Sequence, residues 1–323
     1  MTLRSRFRLG FFSYLQDNQP IAETYARSLD LFQAADDLGF DTAWVAQQHF
    51  GYIGGLPSPF IYFAALADRT RRIGMGTAVV SLPLEDPLRT AEDAAVFETL
   101  YPGRLQLGLG TGITSDTVFA TFGKEGAEKR ALYDSKIGRL LGALRGDPLN
   151  ENGDRLLPPG NALVQRVWES PSTLERLTES SRRGSGLLLS RVAIGAGLTP
   201  THEVQIPMVE LYKRELADGF PVKIGMSRTV YPTRNPEIAY STLSEGIAAG
   251  AKARARLNLP EDRLPMDEAF RHYNVHYGEP ESVVASVAAE PLLDEVTDLV
   301  CQVSPGVPKH EDTLRALELL ASE

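Results

Sequence analysis

The sequence predicts one (β/α)8 barrel, an α/β fold of the TIM-barrel type with parallel strands. Short apolar runs alternate with helical stretches along the whole chain, and such alternation indicates a parallel sheet. The runs number eight, which favours a closed barrel over an open sheet. They are Arg8–Phe12, Asp41–Ala46, Arg72–Val80, Arg104–Leu109, Val164–Trp168, Gly186–Ser190, Val222–Val230 and Thr297–Val303. Most are continuously apolar, as expected for strands covered on both faces.

Helical spacing fills the gaps between these runs. Apolar residues recur on one helical face over 25–35, over 137–144 and from about 311 to 320, and Gly39 should end the first of these helices. The connections 147–163 and 257–278 are long and poor in apolar repeats. Neither could build a core of its own. We therefore predict a single domain over 1–323, with loop insertions at the carboxyl-terminal face of the barrel.

Composition excludes several classes of partner. The chain has 33 Lys and Arg against 42 Asp and Glu, a formal net charge of −9, which argues against nucleic acid and against an anionic membrane surface. No apolar run reaches the roughly 18 residues of a membrane span. The single cysteine, Cys301, lies in an apolar run and should be a buried small hydrophobe. A chain without disulfides suits a reducing compartment, so we expect a cytoplasmic protein.

The active site of such a barrel lies at the carboxyl ends of its strands. Gln48 and His49 follow the second predicted strand. A lone histidine is more often a structural residue than a catalytic one, so both roles stay open. The glycine-rich segment 108–112 follows the fourth strand, where it could admit a ligand close to the backbone or simply form a tight turn.

Hydroxyl and cationic side chains follow the next strands. Ser170 could cap a helix that begins near Pro171, and hydroxyls at a helix N-terminus suit a phosphate as well as an ordinary cap. Arg191 and Arg228 would suit an anionic ligand, or they could form salt bridges within the scaffold. No set of residues has the spacing of a metal site.

Five segments together resemble the luciferase-like monooxygenase family. They are Gly76–Pro83 (GTAVVSLP), Asp86–Asp93 (DPLRTAED), Gly103–Gly112 (GRLQLGLGTG), Glu169–Thr173 (ESPST) and Gly278–Val283 (GEPESV). The similarity extends from about residue 8 to about residue 320, and 257–277 is its least family-like part.

The resemblance implies an oxidoreductase that binds FMN at the carboxyl end of the barrel. Reduced FMN would come from a separate, transiently bound flavin reductase and would be used with dioxygen to oxygenate a small organic substrate. A sister branch of the family uses a deazaflavin for hydride transfer, and some members bind flavin without catalysis. These remain the alternatives. The resemblance also implies a homodimer through the helices that follow the second and third strands.

The resemblance assigns the cofactor contacts residue by residue. They are Ala78, Val79, Gly110, Thr111, Glu169, Ser170, Thr173 and Arg191. A cis peptide between Ala78 and Val79 would set the backbone against one flavin face. The phosphate would lie on Ser170 and Thr173, and Arg191 would supply the positive charge that the family often places near the position of Thr111.

The same comparison gives His49 and Gln48 their catalytic assignments. Luciferases carry paired histidines after the second strand, and Gln48 stands here in place of the first, which acts as the base. Glutamine cannot act as a base near neutral pH, which argues against aldehyde luminescence. We assign His49 to proton handling or substrate orientation, and Gln48 to a polar contact. Alternatively, His49 points away from the barrel axis and Gln48 alone faces the flavin.

Overall fold

The structure, a computed structural model, describes residues 6–51, 54–112, 115–193, 199–256 and 264–322. Within those residues the strands are β1 (Arg8–Ser13), β2 (Thr42–Val45), β3 (Gly74–Thr77), β4 (Val80–Ser81), β5 (Leu105–Gly110), β6 (Val167–Glu169), β7 (Gly186–Leu189), β8 (Ile224–Pro232), β9 (Val275–Gly278) and β10 (Asp298–Gln302). Eight of them form a closed parallel ring in the order β1-β2-β3-β5-β6-β7-β8-β10, because β10 pairs with both β8 and β1. The predicted (β/α)8 barrel is confirmed.

Helices follow the ring strands. They are α1 (Ile21–Asp37), α2 (Pro59–Ala67), α3 (Pro87–Leu100), α4 (Asp116–Thr121), α5 (Lys129–Arg145), α6 (Leu174–Arg182), α7 (Thr201–Glu215), α8 (Pro236–Arg256), α9 (Met266–His272), α10 (Pro280–Ala288) and α11 (His310–Ser322). The three predicted helical faces belong to α1, α5 and α11. Gly39 follows α1 with a φ of 83°, a conformation that favours glycine. None of the described helices could span a membrane.

Each predicted strand overlaps one ring strand, with shifts at the ends. Residues 164–166 belong to a 3-10 turn, Asn161–Arg166, so β6 begins only at Val167. The predicted run Arg72–Val80 splits into β3 and the two-residue β4, which pairs with β5.

Residues 266–278 correct the prediction that 257–278 is a loop. They form α9 and β9, and β9 pairs with the C-terminal part of β8, where Val230 lies opposite His276. Only alternate residues of β9 are buried, so this strand lacks the continuous apolar pattern that marks the ring strands. Residues 257–263 of that connection lie outside the described part of the chain.

The strand β5 shows how the two sides of the barrel wall differ. Leu105, Leu107 and Leu109 are fully buried and belong to the large core that lies between the strands and the helices. Gln106 faces the other way and accepts a hydrogen bond from the Trp168 indole at 2.9 Å, inside the barrel. Cys301 is also fully buried, as predicted.

Two tryptophans fill the middle of the barrel. Trp44 and Trp168 are fully buried and meet edge to face, with ring centroids 5.7 Å apart. Glycines on neighbouring strands make room for them: a Cβ at Gly76 would lie 2.2 Å from the Trp44 ring, and a Cβ at Gly186 would lie 2.6 Å from the Trp168 ring. The interior is therefore packed at this level, and the predicted site lies nearer the carboxyl ends.

Candidate active site

The carboxyl ends of the ring strands carry most of the predicted site residues. Gln48 and His49 follow β2, Ala78 and Val79 follow β3, Thr111 follows β5, Ser170 follows β6, and Arg191 follows β7. Phe12, Leu188 and Val300 belong to the same apolar cluster as the two tryptophans, and Ala78 and Val79 pack against that cluster. The parallel barrel thus brings residues that are distant in sequence to one rim.

Gln47 anchors the segment that carries His49. Its side-chain amide nitrogen donates to the carboxylate of Glu85 at 2.6 Å, and its side-chain oxygen accepts from the Ser81 backbone N–H at 2.8 Å. Its own backbone N–H donates to the carbonyl of Val79 at 3.4 Å, which ties the segment after β2 to the segment after β3. Its side-chain nitrogen also donates to the carbonyl of Pro57 at 3.1 Å. Sequence analysis did not assign Gln47 to the site, because these partners are distant in the sequence and no local pattern links them to it.

His49 is half-buried beside this anchor, and its Nε2 atom is shielded from solvent without a hydrogen-bond partner among the described residues. Burial lowers the pKa of the imidazole, while the nearby Glu85 carboxylate acts in the opposite direction. The ring is therefore mainly neutral at pH 7 and can accept a proton. A buried nitrogen left unpaired costs about 1–3 kcal/mol, so a ligand that supplies a partner would be favoured.

Two phenylalanines, which we call the aromatic pair, adjoin His49. Phe50 and Phe122 stack with centroids 5.8 Å apart and an interplanar angle of 25°, and the Phe122 ring also meets His49 edge on at 4.9 Å. The two rings are 58% and 43% exposed. Phe50 has a φ of 60°, a left-handed conformation that costs a residue with a side chain roughly 1–2 kcal/mol. Neither residue is among those that the sequence assigns to the site.

The segment after β3 lies against the end of β5. The peptide bond between Ala78 and Val79 is cis, as predicted. The Ala78 backbone N–H donates to the carbonyl of Val45 at 2.7 Å. A Cβ at Gly110 would lie 2.8 Å from the Val79 side chain, so the absence of a side chain at Gly110 permits this approach. Ala78, Val79 and Gly110 are thus brought together.

The hydroxyl pair after β6 is also present, with one change of role. Thr173, not Ser170, is the N-cap of α6, and its side chain accepts from the Arg176 backbone N–H at 3.4 Å. The Ser170 hydroxyl instead donates to the carbonyl of Leu188 at 3.1 Å. Thr111 contributes its carbonyl to the local structure, accepting from the Ser81 hydroxyl at 3.0 Å.

Glu169 does not join the other predicted cofactor residues. Its buried carboxylate accepts from the Tyr133 hydroxyl at 2.6 Å, from the Ser185 hydroxyl at 2.8 Å, and from the Arg183 guanidinium at 2.8 and 3.1 Å. Burial, and then the charge of Glu169, raises the pKa of Tyr133 well above its ordinary value. Strand alternation points Trp168 inward and Glu169 toward the helices, where this network holds α5 and α6 to the barrel.

Arg191 lies at the rim and is held by the α9–β9 insertion. Its guanidinium stacks over the Tyr273 ring at 5.8 Å, and its carbonyl accepts from the Asn274 amide at 3.2 Å. Burial raises the pKa of Tyr14, and the charge of Arg191 opposes that rise, which indicates that the cation lies near the residue following β1. The rim therefore carries a cation that follows β7 and lies near the end of β1.

Arg228 corrects the expectation of two arginines for an anionic ligand. Its side chain is fully buried and donates to the Glu290 carboxylate at 3.2 Å and to the Gln205 side chain at 3.0 Å. His276 contacts the other oxygen of Glu290 at 3.1 Å. Burial would raise the pKa of Glu290, but the hydrogen bond with His276 and the charge of Arg228 outweigh burial and lower it to about 2. Arg228 thus belongs to a salt bridge within the scaffold.

Comparison with known protein families agrees with the barrel fold described above. The sequence model of the luciferase-like monooxygenase family matches residues 8–290. The chain belongs to the luciferase-like monooxygenase family. No group of three or more His, Cys, Asp or Glu side chains in the described residues could hold a metal ion, so the described part of this family member offers no built metal centre.

Curated relatives of this luciferase-like chain align with about half of it. The alkanal monooxygenase alpha chain of the Kryptophanaron alfredi symbiont is 32% identical over 179 residues, which are 52% of this chain and 49% of that protein. The chain thus spans about half the length of the curated relatives it matches.

Solved structures resemble the chain over almost its whole length. The monooxygenase RslO1 from Streptomyces bottropensis has a TM-score of 0.82 at 24% identity and covers 98% of both chains. The oxygenating constituent of 3,6-diketocamphane monooxygenase from Pseudomonas putida, solved in complex with FMN, has a TM-score of 0.76 at 14% identity, again covering 98% of both chains. At these identities the structures establish a shared fold.

Proposed function

We propose that this protein is an FMN-dependent monooxygenase that uses reduced FMN and dioxygen to oxidise a small organic substrate. The observation that carries the proposal is the environment of His49. The His49 imidazole is neutral and has a shielded nitrogen that is unpaired among the described residues, and Gln47 ties the segment that carries it to the Ala78–Val79 segment. A group of that kind can move a proton or orient a substrate next to a cofactor seated on this segment.

The rim residues fit FMN. Ala78, Val79 and Gly110 present small side chains and backbone, which suit the flat face of a ring system. At the phosphate end, Thr173 and the N-terminus of α6 offer a hydroxyl and unpaired backbone N–H groups, and these favour an anion. Arg191 supplies a positive charge at the same rim. Glu169 is not part of this proposal, because its carboxylate is engaged with Tyr133, Ser185 and Arg183.

Reduced FMN would supply the electrons with which dioxygen is activated. The residues of the protein would orient the substrate and move its proton. His49 accepts a proton from the substrate or holds the substrate by a hydrogen bond. Gln48, which is half-buried and follows the anchored Gln47, offers a polar contact. The sequence has no dinucleotide fingerprint after β1, and we assign the reduction of FMN to a separate reductase. Both proteins would act in the cytoplasm.

A homodimer through α2 and α3 completes the proposal. Ile61 on α2 is 75% exposed and Leu100 on α3 is 63% exposed, with Val96 also exposed on α3. Burying such side chains against a second copy would contribute about 25 cal/mol for each Å² removed from water.

The test has two stages that use the purified full-length chain. Titration with oxidised FMN, followed by quenching of flavin fluorescence, should give saturable binding. A deazaflavin titrated in parallel should bind more weakly. Dioxygen consumption in the presence of a flavin reductase, NADH and candidate substrates should then rise with substrate. Preferential deazaflavin binding would instead favour a dehydrogenase, and FMN binding without substrate-dependent dioxygen consumption across a broad substrate panel would favour the non-catalytic alternative.

A further inference from the structure

The aromatic pair, Phe50 and Phe122, points to the class of substrate. We propose that the substrate is a planar aromatic molecule with a hydroxyl group, which stacks on the aromatic pair and directs its hydroxyl to the imidazole of His49. This inference rests on the proposed function, because it assumes that His49 faces the substrate. It adds the chemistry that the site would recognise.

The first argument is position. Phe50 comes directly after His49, while Phe122 lies at the C-terminal end of α4, which follows β5. Both rings converge on the imidazole, with centroid distances of 6.2 Å from Phe50 and 4.9 Å from Phe122. The exposed apolar surface of the pair therefore borders the His49 ring, whose shielded Nε2 atom has no hydrogen-bond partner among the described residues.

The second argument is the local backbone. Phe50 has a φ of 60° and Gly51 a φ of 69°, so the chain turns through two left-handed residues. Glycine or asparagine would satisfy the turn with less strain than phenylalanine. The Phe50 ring covers little of the protein interior, since more than half of its surface is exposed. A ring in this position contributes more to a ligand than to the folded core.

The third argument separates aromatic substrates from other apolar ones. The two rings lie 25° from parallel, and an aromatic ligand can extend such a stack with an offset geometry that a saturated chain cannot adopt. The unpaired nitrogen of His49 needs a hydrogen-bond partner, which a hydroxyl supplies as donor or as acceptor and a hydrocarbon does not supply. The Glu85 carboxylate acts electrostatically on His49, and this negative charge disfavours a substrate carboxylate at the same place. A neutral hydroxyarene meets all three conditions.

The experiment measures binding of 2-naphthol to the full-length chain by titration calorimetry, with and without FMN. Decahydro-2-naphthol is the saturated, non-planar control, and naphthalene is the control without a hydroxyl. We expect 2-naphthol to bind at least about fivefold more tightly than either. Phe50→Leu and Phe122→Leu should each weaken 2-naphthol binding by about threefold to tenfold, the range measured for aromatic pairs. Phe122→Tyr keeps the ring and should bind within about twofold of the wild type.

Two comparisons make the outcome decisive. Ile238→Ala removes another exposed apolar side chain, on α8, and should leave 2-naphthol binding unchanged. Phe50→Leu should fold normally because its ring is mostly exposed, and circular dichroism checks this. The proposal is overturned if 2-naphthol does not bind, if the saturated alcohol binds equally well, or if Phe50→Leu has no effect. Binding of 2-naphthol that obeys these rules in a chain unable to bind FMN would support this inference while contradicting the proposed function.

Discussion

Replacement of Glu290 by Gln tests whether Arg228 belongs to the scaffold. The change removes the counter-charge from a fully buried guanidinium, while the amide keeps the shape of the side chain. Breaking a buried pair from one side typically costs about 3–5 kcal/mol, since the remaining charge is left uncompensated. The pKa gives a similar figure: a fall from 4.5 to about 2 corresponds to ~3 kcal/mol of stability at neutral pH.

The pH dependence follows from the direction of that shift. The pKa of Glu290 is lower in the folded protein than in the unfolded chain, so its contribution is fully present above pH 4.5 and is lost as the pH falls toward about 2. Gln cannot titrate. The difference in unfolding free energy between wild type and Glu290→Gln should therefore be largest at neutral pH and should shrink below about pH 5.

Urea unfolding, followed by circular dichroism at a series of pH values, measures both effects. The double variant Arg228→Met, Glu290→Met is the matched control, because it removes both charges and should recover much of the lost stability. A single variant within about 0.5 kcal/mol of the wild type at pH 7 would refute the reasoning, as would a difference that does not change with pH. Unchanged FMN affinity in all folded variants is expected, since Arg228 does not reach the rim.

Three further predictions concern the rim and the surface. His49→Ala should lose at least about tenfold in turnover while still binding FMN, with a smaller loss in Gln48→Ala, and full activity in His49→Ala would end its catalytic assignment. The double variant Ser170→Ala, Thr173→Val should weaken FMN binding in a fluorescence titration, and should also lose about 1 kcal/mol of stability through the missing helix cap; wild-type FMN affinity would place the phosphate elsewhere. Ile61→Glu should shift the mass measured by light scattering from dimer to monomer, and a wild-type chain that already has the monomer mass would contradict the proposed dimer.

The ring strands could be predicted from the sequence because each is covered on both faces and reads as an apolar run. The same signal fails for β4, which has two residues, and for β9, which buries only alternate residues. It also fails at the start of β6, where a 3-10 turn includes Val164, the apolar residue expected to begin the strand. Burial pattern, and not strand propensity alone, thus decided which elements were found.

The site was predicted in part, and the errors in that prediction share one cause. The residue after each strand could be named from the sequence, but the face on which a side chain lies depends on partners elsewhere in the chain. Glu169 lies next to the inward-facing Trp168 and therefore faces the helices, where Arg183 and Tyr133 meet it. Arg228 pairs with Glu290, 62 residues away. No local pattern reveals either partner.

The aromatic pair was missed for a related reason. Phe50 and Phe122 lie in separate connections that only the closed barrel brings together. Phe50 follows the segment after β2 and Phe122 ends α4, and an aromatic residue at such a place in the sequence gives no sign of what its ring contacts. Their exposure, which is the property that matters for binding, is visible only in three dimensions.

The packed tryptophans have a consequence for the order of events during turnover. With Trp44 and Trp168 closing the interior, a ligand that binds within the barrel can arrive and depart only past the rim. Cofactor and substrate would then share one opening, and whichever lies deeper must bind first and leave last. In the proposed arrangement, FMN lies against the Ala78–Val79 segment, and the substrate lies nearer to solvent, against Phe50 and Phe122. Product release would therefore precede the exchange of spent flavin, and excess substrate should slow the loading of reduced FMN.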